Sequence, residues 1–256
     1  MSACGLILGV RQTSSSEFFT KLKDLVQKGH LHQAFSLYKD LHHSSSFSTY
    51  PITHILPSLI KASSLFHSRH VGTQLHRLAV KTASYSDVVV CNSLVPLYAK
   101  FLDANNARQL FDELPERDPI SWNSLINCYI RQGHFVQAID TFKQMWANGY
   151  LPKPELTPSV LSVCSKVGLE RFGREIHGFV VVSGMIQDSV FLPTALVDCY
   201  SRSGDLWVAF RVFDQMEVRN EVSWTAMIQG CTTSHDHKMA FDCPGECRLM
   251  ESNLIG

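Results

Sequence analysis

Apolar side chains recur along this chain in steps of three and four residues, and glycine or proline breaks the pattern at regular intervals. Between 119 and 153 it is clearest. Trp122, Leu125, Ile126, Tyr129 and Ile130 fall on one stripe of an α-helix. Asp118 ahead of Pro119 supplies a carboxylate cap and a proline at the first helical position. Gly133 ends that helix. Phe135, Ala138, Ile139, Phe142 and Met145 form a second stripe, closed by Gly149, and Pro152 and Pro154 prevent its continuation. Two such helices make a hairpin that cannot bury both apolar faces by itself. It must stack on neighbours.

The same plan recurs. Leu94, Val95, Leu97 and Tyr98, then Ala107, Leu110, Phe111 and Leu114, outline a shorter hairpin over 88–118. Its echo over 190–220 repeats Tyr98 as Tyr200, Ala107 as Ala209 and Phe111 as Phe213, each 102 residues on. The stretch RDPISWNSLINC, Arg117 to Cys128, returns at that offset as RNEVSWTAMIQG, Arg219 to Gly230. A third kind of hairpin occupies 53–87 and returns over 154–189, where Pro57/Pro158, Gly72/Gly173, His76/His177 and Asp87/Asp188 correspond at an offset of 101. An extra residue near Asp188-Ser189 restores the longer offset. Residues 15–52 read as a degenerate unit. The unit 221–256 starts well and then decays, with Pro244 set to interrupt its second helix. Self-similarity at this period marks an all-α repeat architecture. Trp122 and Trp224 share stripes with Leu125 and Ile126, or with Met227 and Ile228, and read as core. His76 and His177 read as packing positions.

Composition narrows the function. Lysine plus arginine equals aspartate plus glutamate at 23 each, so net charge is zero. That argues against holding nucleic acid mainly by phosphate neutralisation. No apolar run approaches the ~18 residues of a membrane span, which predicts a soluble chain. The eight cysteines include no C-x-x-C pair and read as buried reduced thiols. Residues 1–14, with Arg11, serines following and no acid before Glu17, have the composition of an organellar transit segment or of a disordered N-terminus.

Units of 35, 31 and 35–36 residues in rotation, carrying runs such as VVVCNSLVPLYAK, RDPISWNSLINCYIRQG and TALVDCYSRSGDLWVAFRVFDQM, resemble the plant pentatricopeptide repeat family. The likeness is to its class of alternating P, L and S repeats. It assigns 53–87 and 154–189 to L, 88–118 and 190–220 to S, 119–153 to P, and 221–256 to a truncated P unit. It covers about residue 15 to residue 242. The resemblance implies a right-handed α-solenoid of stacked helical hairpins that binds single-stranded RNA in organelles, one base per repeat. Carried over by position, it implies base-selecting pairs Asn92 with Asp118, Asn123 with Lys153, and Thr194 with Asn220. Thr225 is the corresponding residue of the last unit. Val89, Ile120, Phe191 and Val222 are implied to pack against base faces. The family's code then gives U for Asn92/Asp118, A for Thr194/Asn220, a pyrimidine for Asn123 and a purine for Thr225. Lys153 is unusual at its place, and Pro57 and Pro158 offer no side-chain hydrogen bond. Asn and Thr in a first helical turn are also ordinary local hydrogen-bonding residues. The register is what singles these out.

Relatives of this class often end in a zinc-dependent cytidine deaminase, which needs an H-x-E glutamate and a C-x-x-C pair. Neither is here. His235, His237, Cys243 and Cys247 match no standard zinc spacing and are expected not to bind metal. No phosphate-binding glycine loop or nucleophile elbow occurs. The expected function is therefore site recognition on organellar transcripts for editing, processing or stabilisation, without a cofactor or catalysis of its own. Any enzyme would act in trans, with no membrane or DNA partner, in the mitochondrion or alternatively the chloroplast. Two alternatives stand beside it: a helical-repeat scaffold for protein partners, and an incomplete fragment of a longer editing factor.

Overall fold

The computed structural model describes residues 20–37, apart from 23, 27, 29, 31 and 35, and residues 56–233, apart from 85, 86, 188 and 189. The N-terminal segment, the tail of 15–52, Asp188-Ser189, Pro244 and the His235–Cys247 cluster lie outside the described residues. Among the described residues every regular element is helical. The helices are α1 (Leu56–Leu65), α2 (Arg69–Lys81), α3 (Val88–Lys100), α4 (Ala104–Glu113), α5 (Pro119–Gln132) and α6 (Phe135–Ala147). They continue with α7 (Thr157–Lys166), α8 (Glu170–Val182), a 3-10 turn (Met185–Gln187), α9 (Phe191–Ser203), α10 (Leu206–Asp214) and α11 (Glu221–Thr233). No described helix is long and apolar enough to cross a membrane.

The chain divides into two compact units, Met1–Cys128 and Tyr129–Gly256. In the first, α1 and α3 lie side by side, α2 packs on both, and α4 packs on α3. In the second, α9 is central and touches α7, α10 and α11, while α8 closes on α7 and α9. The glycines that recur 101 residues apart allow close helix approach. A Cβ at Gly72 would stand 2.8 Å from Leu97 Cδ1, and one at Gly173 would stand 3.2 Å from Cys199 Sγ.

The doubled Ser-Trp stretch is a joint between hairpins. Arg117 Nε donates to the Phe111 carbonyl at 3.2 Å, and its guanidinium lies 5.0 Å from the Phe111 ring centre. Trp122 meets the same ring edge-on at 4.6 Å and is buried. In the second unit Arg219 donates to the Phe213 carbonyl at 3.1 Å, stacks on that ring at 5.0 Å, and Trp224 meets it at 4.7 Å. Each carbonyl also accepts a backbone N–H at its helix end, from Leu114 at 3.4 Å or Met216 at 3.2 Å, so the arginine adds a second bond there while the tryptophan covers the ring edge. Trp122 is core, whereas Trp224 is half-buried.

His76 and His177 do more than pack. Each is half-buried, and its Nδ1 shares a hydrogen bond with a tyrosine hydroxyl, Tyr98 at 2.7 Å or Tyr200 at 2.9 Å. Burial lowers both histidines from the usual 6.5, and Glu113 partly opposes this at His76. Cys91, Cys128, Cys164, Cys199 and Cys231 are buried thiols. Burial pushes Cys164 up to about 12 and Cys199 up to about 11, which keeps both protonated and unreactive at neutral pH.

Candidate nucleic-acid interface

Four exposed apolar side chains recur at the same place in their helices. Val89, Ile120, Phe191 and Val222 occupy the first turns of α3, α5, α9 and α11, yet they are 63%, 61%, 71% and 63% exposed. Their neighbours on the same helices, Val90, Ser121, Leu192 and Ser223, are buried. The helix therefore orients each exposed side chain away from the core rather than leaving it at a frayed end. These are the four positions expected to meet base faces.

In the first unit two of them border a cavity of ≈ 490 Å³. Pro57, Ser58, Lys61, Ser64 and Leu65 of α1 form one wall, and Val89, Asn92, Ser93 and Pro96 of α3 form another. Asp118 and Ile120, at the start of α5, complete it. The structure thus brings the expected pair Asn92 and Asp118 together with Val89 and Ile120 around one space. Their polar groups are held in place. Asn92 Nδ2 donates to the Glu116 carbonyl at 3.3 Å, and its Oδ1 accepts from Ser121 Oγ at 3.0 Å. Asp118 Oδ1 accepts from the Ser121 amide at 2.7 Å, the capping bond expected of it. Each side chain retains further lone pairs or protons for a bound group.

In the second unit α9 and α11 lie side by side. Thr194, however, is only 8% exposed, and its hydroxyl donates to the Val190 carbonyl at 2.7 Å. Thr225 is exposed and its hydroxyl donates in the same way to the Glu221 carbonyl at 2.7 Å. Both threonines can then only accept from a ligand. Asn220 Oδ1 accepts from the Ser223 amide at 2.9 Å, repeating the cap made by Asp118. Asn123 belongs to the first unit and is half-buried, while Lys153 belongs to the second and is exposed. Asp87, paired with Pro57 by position, spends its Oδ1 on the Val89 and Val90 amides at 2.9 and 3.3 Å. Among the described residues no group of histidine, cysteine and acidic side chains could hold a metal ion.

Comparison with known proteins gives the arrangement its lineage. The model of the PPR repeat matches residues 120–150, 193–221 and 222–243. A mitochondrial pentatricopeptide repeat-containing protein of Arabidopsis thaliana, At4g31070, is 42% identical over 228 residues, which are 88% of this chain and 36% of that protein. The chain belongs to the pentatricopeptide repeat family. A second Arabidopsis pentatricopeptide repeat-containing protein, At4g25270, chloroplastic, is 34% identical over 85% of this chain and 40% of its own length. Among solved structures, the pentatricopeptide repeat protein PPR10 in complex with an 18-nt psaJ RNA element superposes with a TM-score of 0.71 at 16% identity. That match covers 95% of this chain and 35% of the other, and it establishes the α-solenoid fold. The chain spans about a third of the length of the pentatricopeptide relatives it matches first.

Lys61, Ser64 and Leu65 line the cavity without having been singled out in the sequence. Lys61 stands one helical turn beyond Pro57, so helical spacing from that proline would have found it.

Proposed function

We propose that this pentatricopeptide chain recognises single-stranded RNA on organellar transcripts, one base per hairpin, and marks a site for editing, processing or stabilisation by an enzyme acting in trans. The cavity bordered by Val89, Asn92, Asp118 and Ile120 carries the reading. Two exposed apolar side chains flank a space wide enough for a base. An amide and a carboxylate fixed by hydrogen bonds stand at its edge, which is the combination that an unstacked base needs for packing and discrimination. The alternation of long and short hairpins supports membership of the P-L-S class. The mitochondrial and chloroplastic names of its relatives support an organellar location.

The test is binding to short single-stranded RNAs carrying U where the Asn92/Asp118 cavity would meet it and A where Thr194/Asn220 would. Asn92→Ala should weaken the U-bearing RNA by roughly 1–2 kcal/mol, the size of losing one hydrogen bond to the base, and should flatten the preference for U over A. Asn92 also anchors Glu116 and Ser121, so thermal melting must accompany the titration. A wild-type chain that binds scrambled RNA equally well would defeat base reading. Partners retained after ribonuclease treatment, with no RNA preference, would point to a protein scaffold.

A further inference from the structure

We infer that Lys61 holds a backbone phosphate of the nucleotide whose base enters the cavity between α1 and α3. This rests on the RNA reading above and adds to it a contact from a hairpin whose base-selecting position is proline. Among the residues lining the cavity Lys61 is the one cation. Its side chain is exposed, and among the described residues it forms no ion pair.

The ordinary reason for a cation on such a helix does not apply. α3, α5, α7 and α9 carry theirs in the last turn, as Lys100, Arg131, Lys166 and Arg202, where positive charge complements the helix dipole. α1 has no basic residue in its last turn. Its cation is set one turn earlier, beside the apolar walls formed by Pro57 and Leu65. A lysine stem lies readily along such a wall while its ammonium reaches out as a compact point charge. Bases are uncharged and phosphates are not, so the cation lining this cavity is matched to the phosphodiester.

The experiment compares wild type, Lys61→Gln and Lys61→Arg on two RNAs, one with U and one with A at the cavity position. Affinity is followed by fluorescence anisotropy from about 50 to about 200 mM salt. One lost phosphate contact should reduce the slope of log K against log salt by about 0.7. Lys61→Gln should therefore weaken both RNAs by the same factor, more at low salt than at high, and leave the U-to-A ratio unchanged. Lys61→Arg should restore the slope. Melting curves matching wild type would show that the substitutions spare the fold. Equal slopes for Lys61→Gln and wild type would overturn the inference, and a loss confined to the U-bearing RNA would assign Lys61 to the base edge instead. If wild type does not distinguish the two RNAs, base reading fails, while the slope comparison still decides the phosphate contact. Absence of binding to either RNA would sink both.

Discussion

Asp118 is both a helix cap and a residue of the cavity wall. Its Oδ1 caps α5 through the Ser121 amide at 2.7 Å, and the residue borders the cavity with Asn92. A cap needs only a side-chain acceptor, whereas selecting a base by charge-assisted hydrogen bonding needs the carboxylate. Two substitutions separate the roles. Asp118→Ala should lose about 1 kcal/mol of stability together with the preference for U. Asp118→Ser should melt close to wild type in thermal denaturation and lose only the preference. Retention of the preference by Asp118→Ser would make Asp118 a cap and nothing more. Thr194 presents the converse case. Its register matches Asn92, but burial and the bond to Val190 leave it far less to offer a ligand than the exposed Thr225 has.

At the scale of elements, each first helix must end and turn back into its partner. Gly204 does this after α9 with φ 82°, and Gly133 does so after α5 with φ 76°. After α3 the same turn is made by Leu102 with φ 55°, where a side chain crowds the backbone. Leu102→Gly should raise stability by roughly 0.5–1 kcal/mol, the relief of left-handed strain less the entropy of glycine, read as a shift in the denaturant midpoint. A midpoint that stays or falls would mean that packing by Leu102 outweighs the strain. Ends of this kind explain why the helices were legible in the sequence. Asp118 with Pro119, Gly133 and Gly149 act on their own neighbours, and apolar spacing acts within one helix. The cavity, the inter-hairpin pairs Arg69–Asp103 at 2.7 Å and Arg174–Asp205 at 3.1 Å, and the burial of Thr194 arise only when separate hairpins meet. Register along the sequence names a position. Depth comes from the neighbouring hairpins.

For the molecule as a whole, the repeat distributes one device to both compact units. The first holds the pair His76–Tyr98 and the second His177–Tyr200. In each the histidine is held neutral by burial, its pKa lowered from 6.5, and burial also raises the tyrosine, to about 12 for Tyr200. Protons therefore favour the unfolded chain, where histidine titrates normally. The stability each pair contributes is fully present above pH 6.5 and is lost progressively as pH falls toward the lowered folded value. Thermal melting of wild type should thus drop between about pH 7.5 and about pH 5.5, before most carboxylates take up protons. The variant His76→Gln/His177→Gln should start lower at pH 7.5 and show a flatter profile over the same window. A single substitution should remove part of the slope and leave the rest, because each unit carries its own pair. A double variant with the wild-type slope would place the acid sensitivity elsewhere in the chain.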